Sequence, residues 1–164
     1  MKKLLSCVLA VVSIFMLTLP ALAAEGPSTP ESPSYTIIVS GNPVVLDDLP
    51  CQPYYEGDTL MVPLRKISEA LGYRVDWDAE TGAITVDDEY IQKATLFGGT
   101  ASVVFHGHLQ VIDMSREIEN AAVSVIHDGV TFVPLEFFQE FFNDVTVTGT
   151  EITVAPSMNQ LDGV

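Results

Sequence analysis

Cysteine, basic side chains and long apolar runs are scarce in this chain, and each scarcity excludes something. The two cysteines are Cys7 and Cys51. Cys7 falls in an apolar leader without a lipobox-like context, so Cys51 stands alone and no internal disulfide is expected. Seven Lys and Arg oppose 22 Asp and Glu. Lys2 and Lys3 belong to the leader, which leaves 7 − 2 = 5 bases and a net charge of 5 − 22 = −17 on the rest. A field of that sign repels nucleic acid and anionic membrane surfaces, and it favours solubility, cations or basic partners. A solvated acidic surface accounts for it without any dedicated site.

The long apolar run is Leu4 to Leu19, behind Lys2-Lys3 and ahead of Ala21-Leu22-Ala23. A basic start, an apolar middle and a small-residue end make a secretory signal peptide, expected over 1–23. The run is short for a transmembrane helix, so no stable membrane insertion is expected after cleavage. The remaining 164 − 23 = 141 residues suffice for one domain with a real core. Residues 24–34 hold the Pro- and Ser-rich stretch Glu25 to Ser34 and read as a disordered linker. Residues 35–156 read as the domain, and 157–164 as a flexible tail.

What is present is a repeat. Gly57 to Asp87 returns in worn form as Asp128 to Pro156, with Val62-Pro63-Leu64 answered by Val133-Pro134-Leu135 and Ile84-Thr85-Val86 by Ile152-Thr153-Val154. In the first copy Pro63 opens a helix that Gly72 stops, and Leu64, Ile67, Ser68 and Leu71 make one apolar stripe at i, i+3, i+4, i+7. Arg65 and Glu69 can pair on another face. The period then becomes two. Tyr73, Val75 and Trp77 alternate into a turn at Ala79 to Gly82, and Ile84 and Val86 return.

In the second copy Leu135, Phe138, Phe141 and Phe142 are the expected buried helical residues. With Phe137 they cannot share one narrow stripe, so this helix should be covered on two sides. Upstream, Tyr35 to Val39 and Pro43 to Leu46 flank a turn at Ser40-Gly41-Asn42. Ala101 to Phe105 and Leu109 to Ile112 are expected to repeat that hairpin around His106-Gly107-His108. Glu89 to Leu96 reads as a connecting strand. The expected fold is therefore α+β: two tandem copies of a hairpin-helix-hairpin unit forming one domain, with antiparallel strands packed around two short helices.

Val62-Pro63-Leu64-Arg65, then Glu69-Ala70-Leu71-Gly72, Val75-Asp76-Trp77-Asp78 and Ile84-Thr85-Val86, resemble the copper amine oxidase N-terminal domain family, also called stalk domains. The resemblance covers most of Tyr35 to Pro156. It is strong in the first copy and weak in the second, where Glu136 replaces the arginine and no tryptophan follows the helix. It implies an α+β module carried as a non-catalytic appendage of exported bacterial proteins. It implies no copper, because in amine oxidases the metal and quinone belong to a separate catalytic domain.

Several residues could carry chemistry. His106 and His108, with His127 as a third, could offer imidazoles to a metal, although the expected turn splays the first two. Asp76, Asp78, Glu80 and Asp87 echo positions 1, 3, 5 and 12 of a calcium loop, but Gly82 comes one position late and strands flank the loop. Cys51 lacks an activating context. Tyr54, Tyr55, Tyr73 and Trp77 could form an aromatic platform for glycan or peptide, against the commoner reading of loop and core aromatics. No catalytic, cofactor-binding or metal-binding residue is assigned, and no cofactor is expected.

The function expected is that of a secreted, non-enzymatic, stalk-like module acting through contact with a partner protein or the cell envelope, with cell-wall glycan as a further candidate partner. The alternative is an acidic extracellular domain that binds divalent cations or glycan.

Overall fold

The computed structural model describes residues 33–108 and 114–157. The expected signal segment 1–23, residues 24–32 of the linker and residues 158–164 of the tail lie outside the described residues. Most of the described chain is strand, with two short helices. In chain order these are β1 (Thr36–Val39), β2 (Asn42–Val44), β3 (Tyr54–Glu56), β4 (Thr59–Pro63), α1 (Leu64–Ala70), β5 (Arg74–Trp77), β6 (Ala83–Asp87), β7 (Gln92–Phe97) and β8 (Ser102–Gly107). There follow β9 (Ser115–Glu119), β10 (Val125–His127), β11 (Val130–Pro134), a 3-10 helix α2 (Leu135–Phe141), β12 (Asn143–Thr148) and β13 (Glu151–Pro156). Among the described residues no helix is long and apolar enough to cross a membrane.

Three sheets form, in the orders β12-β13-β1-β2, β10-β11-β4-β3 and β5-β6-β7-β8-β9. All their pairings are antiparallel except one. β1 and β13 run parallel, with Thr36 opposite Glu151 and Val39 opposite Val154, so the all-antiparallel expectation is corrected there. In the middle sheet β4 pairs with β11 so that Val62 lies opposite Val133, and the two Val-Pro-Leu steps meet back to back.

The helices form where the sequence changes period. Pro63 keeps an extended backbone (φ −70°, ψ 112°) as the last strand residue, and the helix begins at Leu64. Its end is a Schellman motif: Gly72 takes φ +87° and donates to the Glu69 carbonyl, while the Tyr73 N–H reaches the Ser68 carbonyl at 2.8 Å. Glycine suits that left-handed position because it has no Cβ to clash.

The second helix tightens to three residues per turn, so Leu135, Phe138 and Phe141 form one buried ridge and Phe137 is buried beside it. Phe142, expected in the core, is instead 48% exposed with φ +57° at the helix end. A residue that terminates the helix in the left-handed region leaves the ridge. Buried Asn143 then satisfies the last turn, donating from Nδ2 to the carbonyl of Phe138 at 2.9 Å, and it bonds the Tyr73 hydroxyl just beyond α1.

A single apolar cluster takes residues from all three sheets and both helices, including Ile37, Val62, Leu64, Ile67, Leu96, Phe105, Phe137, Phe138 and Ile152. The hairpin expected to turn at His106-Gly107-His108 does not turn at His106-Gly107. His106 and Gly107 belong to β8, where His106 faces Ser115 of β9 and Gly107 faces Gln92 of β7. Residues 109–113, which carry the strand expected at Leu109 to Ile112, lie outside the described residues. Strand β9 escaped a pattern search because Ser-Arg-Glu-Ile-Glu is nearly all polar, as suits a sheet edge.

Candidate functional site

A cleft of about 550 Å³ opens between α1, the β5 edge and the β10–β11 hairpin. Its floor is aliphatic, with Leu49, Leu64, Val75, Ile84 and Val130. Trp77, 60% exposed at the end of β5, and Ile126, 49% exposed on β10, stand at its mouth. Both also line an adjoining shallower hollow with Phe97. Gly98 makes room for this: a Cβ there would come within 2.6 Å of Ile126 Cδ1.

Four charged groups border the cleft as two pairs. Arg65 donates to the Val75 carbonyl at 2.8 Å and contacts Glu69 at 3.3 Å. Its partnership with Glu69 is the one expected from the sequence; the bond to the β5 edge was not foreseen. Lys66 bonds Asp48 at 2.8 Å, and that hydrogen bond holds the Asp48 carboxyl below the usual carboxylate range.

The acidic turn separates rather than gathers its carboxylates. Asp78 Oδ1 accepts the N–H of Glu80 at 2.8 Å and of Thr81 at 3.3 Å, which lowers its carboxyl, while Asp76 pairs with Arg74 at 2.8 Å. Asp87 lies opposite Arg74, four residues along the strand from Asp78, or roughly 13 Å. It shares Arg74 with Asp76 and has further partners of its own. Burial pushes the Asp87 carboxyl up, but the Glu89 N–H, His108 Nε2 at 2.7 Å and Arg74 outweigh it and leave it lowered.

Asp87, Asp88 and His108 come close enough together to be considered as metal ligands. Asp88 Oδ1 already accepts the N–H groups of Tyr90, Ile91 and Gln92. These bonds build the β6–β7 turn, and the geometry is that of a structural cluster. His106 and His127 do not join it: His106 sits in β8, and His127 Nε2 bonds the Tyr54 hydroxyl at 3.1 Å.

Cys51 forms no bond to His127 among the described residues, and burial followed by the Asp128 charge raises its thiol, which disfavours a nucleophilic thiolate. The four aromatics do not form one platform. Tyr54 packs with His127 and Phe132, Tyr73 against Phe141, Tyr55 is exposed on an edge strand, and Trp77 alone borders the cleft. Sequence reasoning missed Ile126 as a functional candidate. The signal was Asp128-Gly129, a dipeptide that marks a two-residue hairpin turn and hence strand β10.

The fold defines a class: small β-rich modules in which several sheets and two short helices share one core. Within it, the chain belongs to the copper amine oxidase N-terminal domain family, which matches residues 38–155. That family is the non-catalytic N-terminal part of those oxidases. A Brevibacillus choshinensis protein named protease inhibitor is 32% identical over 97 residues, covering 58% of this chain and 27% of that protein. The chain thus spans about a quarter of that relative's length. No solved structure gives a significant match.

Proposed function

We propose that this chain is a secreted, non-catalytic stalk-like module that acts by contact with a partner protein of the cell envelope or its surroundings. The observation that carries the reading is the cleft. A tryptophan and an isoleucine, both about half exposed, flank an aliphatic floor, a combination typical of contact sites. Export is supported by Lys2-Lys3, the Leu4 to Leu19 run and Ala21-Leu22-Ala23. The family supports a role as an appendage.

The same reading takes the two strand-strand-helix-hairpin orders as copies of one unit, related through the Val62–Val133 pairing. A protease as the partner is the specific form supported by the Brevibacillus relative's name.

The test is retention of envelope and secreted proteins on the immobilised domain, with Ile126→Glu as a control. The expected result is a protein retained by the wild type and lost on the variant, with stoichiometric inhibition if that protein is a protease. Equal retention by both would remove the cleft from the reading, and substrate turnover by the purified domain would overturn the non-catalytic role.

A further inference from the structure

Each of the three sheets has two outer strands, and among the described residues all but one of these edges are guarded. β2, β3 and β10 are three residues long, and β2 carries Pro43 at its centre. β9 reads Ser-Arg-Glu-Ile-Glu, with three charges. Beside β5, α1 takes the outward groups: Arg65 holds the Val75 carbonyl at 2.8 Å, and the Ser68 carbonyl holds the Tyr73 N–H. Short length, proline, charge and cover are the ordinary means of keeping a sheet edge from pairing. β12 has none of them beyond a single carboxylate. It is six residues long, Asn-Asp-Val-Thr-Val-Thr, and four of its side chains are β-branched.

The hairpin fixes which way its backbone faces. Thr148 lies opposite Glu151, and the Ser157 N–H donates to the Phe142 carbonyl at 2.9 Å, so the even-numbered residues of β12 bond toward β13. On the other side of β13, Val154 gives its carbonyl to the N–H of Ser40 and so has none to give its neighbour Val145. Alternation turns the N–H and carbonyl groups of Val145 and Val147 away from the sheet, and no hydrogen bond reaches them among the described residues. Val145 packs on the apolar core and Val147, 40% exposed, shares its face, while Asp144, Thr146 and Thr148 are exposed on the other.

Charge selects the occupant. Asp144, near the start of β12, and Glu151, opposite its last residue, are both exposed, and neither has an ion-pair partner among the described residues. Four of the five bases after Lys3 are held elsewhere: Arg65 by Glu69, Lys66 by Asp48, Arg74 by Asp87 and Arg116 by Glu140. The fifth, Lys93, lies on β7 in another sheet. The field along this edge is therefore negative. A second copy paired about Thr146 would set its own Asp144 beside Thr148 and next to Glu151, acid toward acid.

We propose that β12 takes an extended segment of a basic partner protein as a fifth, antiparallel strand of its sheet, with apolar residues opposite Val145 and Val147 and bases opposite Asp144 and Thr148. Residues two apart share a face, so the apolar pair extends the core side and the bases lie on the solvent side with Asp144 and Glu151. Main-chain bonds to Val145 and Val147 supply register, and the two acids supply the preference for bases. This surface is separate from the cleft and goes beyond the reading given for it.

The probe is acetylated and amidated Lys-Val-Thr-Val-Lys, with one version carrying Glu for both Lys and another N-methylated at both Val. Each is titrated into isotope-labelled protein of residues 32–164, one compact unit, and the backbone amide resonances are followed. The expected result is a saturable shift of the Val145 and Val147 signals. Binding should be about tenfold weaker for the Glu peptide at low salt, and that gap should close near 1 M salt, where the Debye length is ~3 Å. The N-methylated peptide should not bind, because its donors to the edge are gone. Val147→Pro removes an outward N–H and no bond to β13, so it should abolish binding with an unchanged far-ultraviolet spectrum. Asp144→Lys should turn the preference toward the Glu peptide, a test that stands even where the proline variant fails to fold.

No saturable shift on β12, equal affinity for the Lys and Glu peptides at low salt, or binding that survives N-methylation would overturn the proposal. So would peptide-free shifts of Val145 and Val147 that grow with protein concentration, which assign the edge to a second copy. Ile126→Glu should leave peptide binding unchanged, so failure at β12 does not touch the cleft, and failure at the cleft does not touch β12.

Discussion

Removing the Phe138 ring tests whether the described domain behaves as one cooperative unit. The ring is fully buried, lies 5.4 Å from that of Phe137 at 86°, and belongs to the same apolar cluster as Val62, Leu64 and Ile67 from the first half. Phe138→Ala therefore deletes a buried ring and one edge-to-face pair, at a cost of about 3–5 kcal/mol. That is a large part of the roughly 5–15 kcal/mol that stabilises an ordinary domain. With a urea dependence of about 2 kcal/mol per molar, the midpoint should fall by about 2 M.

The assay follows urea unfolding by far-ultraviolet circular dichroism and by Trp77 emission. Trp77 lies on β5, in the first half and in a different sheet from the β12–β13 hairpin that follows the deleted ring's helix. Coupling through the shared core and through Asn143, which bonds both Tyr73 and the Phe138 carbonyl, requires the two signals to shift together. A Trp77 midpoint that stays in place while the dichroism signal moves, or two resolved transitions, would refute the shared core.

Two further variants probe polar groups. The Asp87 carboxyl is lowered in the fold, so its contribution is fully present above the unfolded value of ~3.9 and fades as pH falls through the folded value below that. Asp87→Asn should cost about 1–2 kcal/mol at pH 7, and the gap from wild type in thermal unfolding should shrink below about pH 4; a gap independent of pH would reject the role of the charge. Ser68 is fully buried on α1 and its hydroxyl has no partner among the described residues. Ser68→Ala should be neutral or stabilise by up to about 1 kcal/mol in the same melts, and a loss of more than that would reveal an unseen partner.

Much of the scaffold was legible because local rules agreed. Pro63 and Gly72 bracket a helix whose stripe of Leu64, Ile67 and Ser68 is buried as spaced, and the turns before Gly82 and at Gly149 fall where glycine permits positive φ. Phe142 was misplaced because a 3.6-residue period was assumed where a 3-10 helix turns every three.

The β8–β9 turn was misplaced because His106-Gly107-His108 looked like Ser40-Gly41-Asn42, whereas Gly107 sits inside a strand. The cleft was illegible for another reason. Arg65, Trp77 and Ile126 are far apart in the chain, and only the placement of one sheet's edge beside another sheet's hairpin brings them together.

The lone parallel pairing has a mechanical consequence. Force applied to the two ends of the domain enters β1 at Thr36 and leaves β13 at Pro156, and since these strands run the same way side by side, the two pulls act along them in opposite directions. The rungs are then loaded in shear. Thr36 N–H to the Thr150 carbonyl at one end and Ser40 N–H to the Val154 carbonyl at the other must give way together with those between, instead of opening one at a time as in a hairpin peeled from its turn. A module held at one terminus and tugged at the other thus meets the load along its strongest axis.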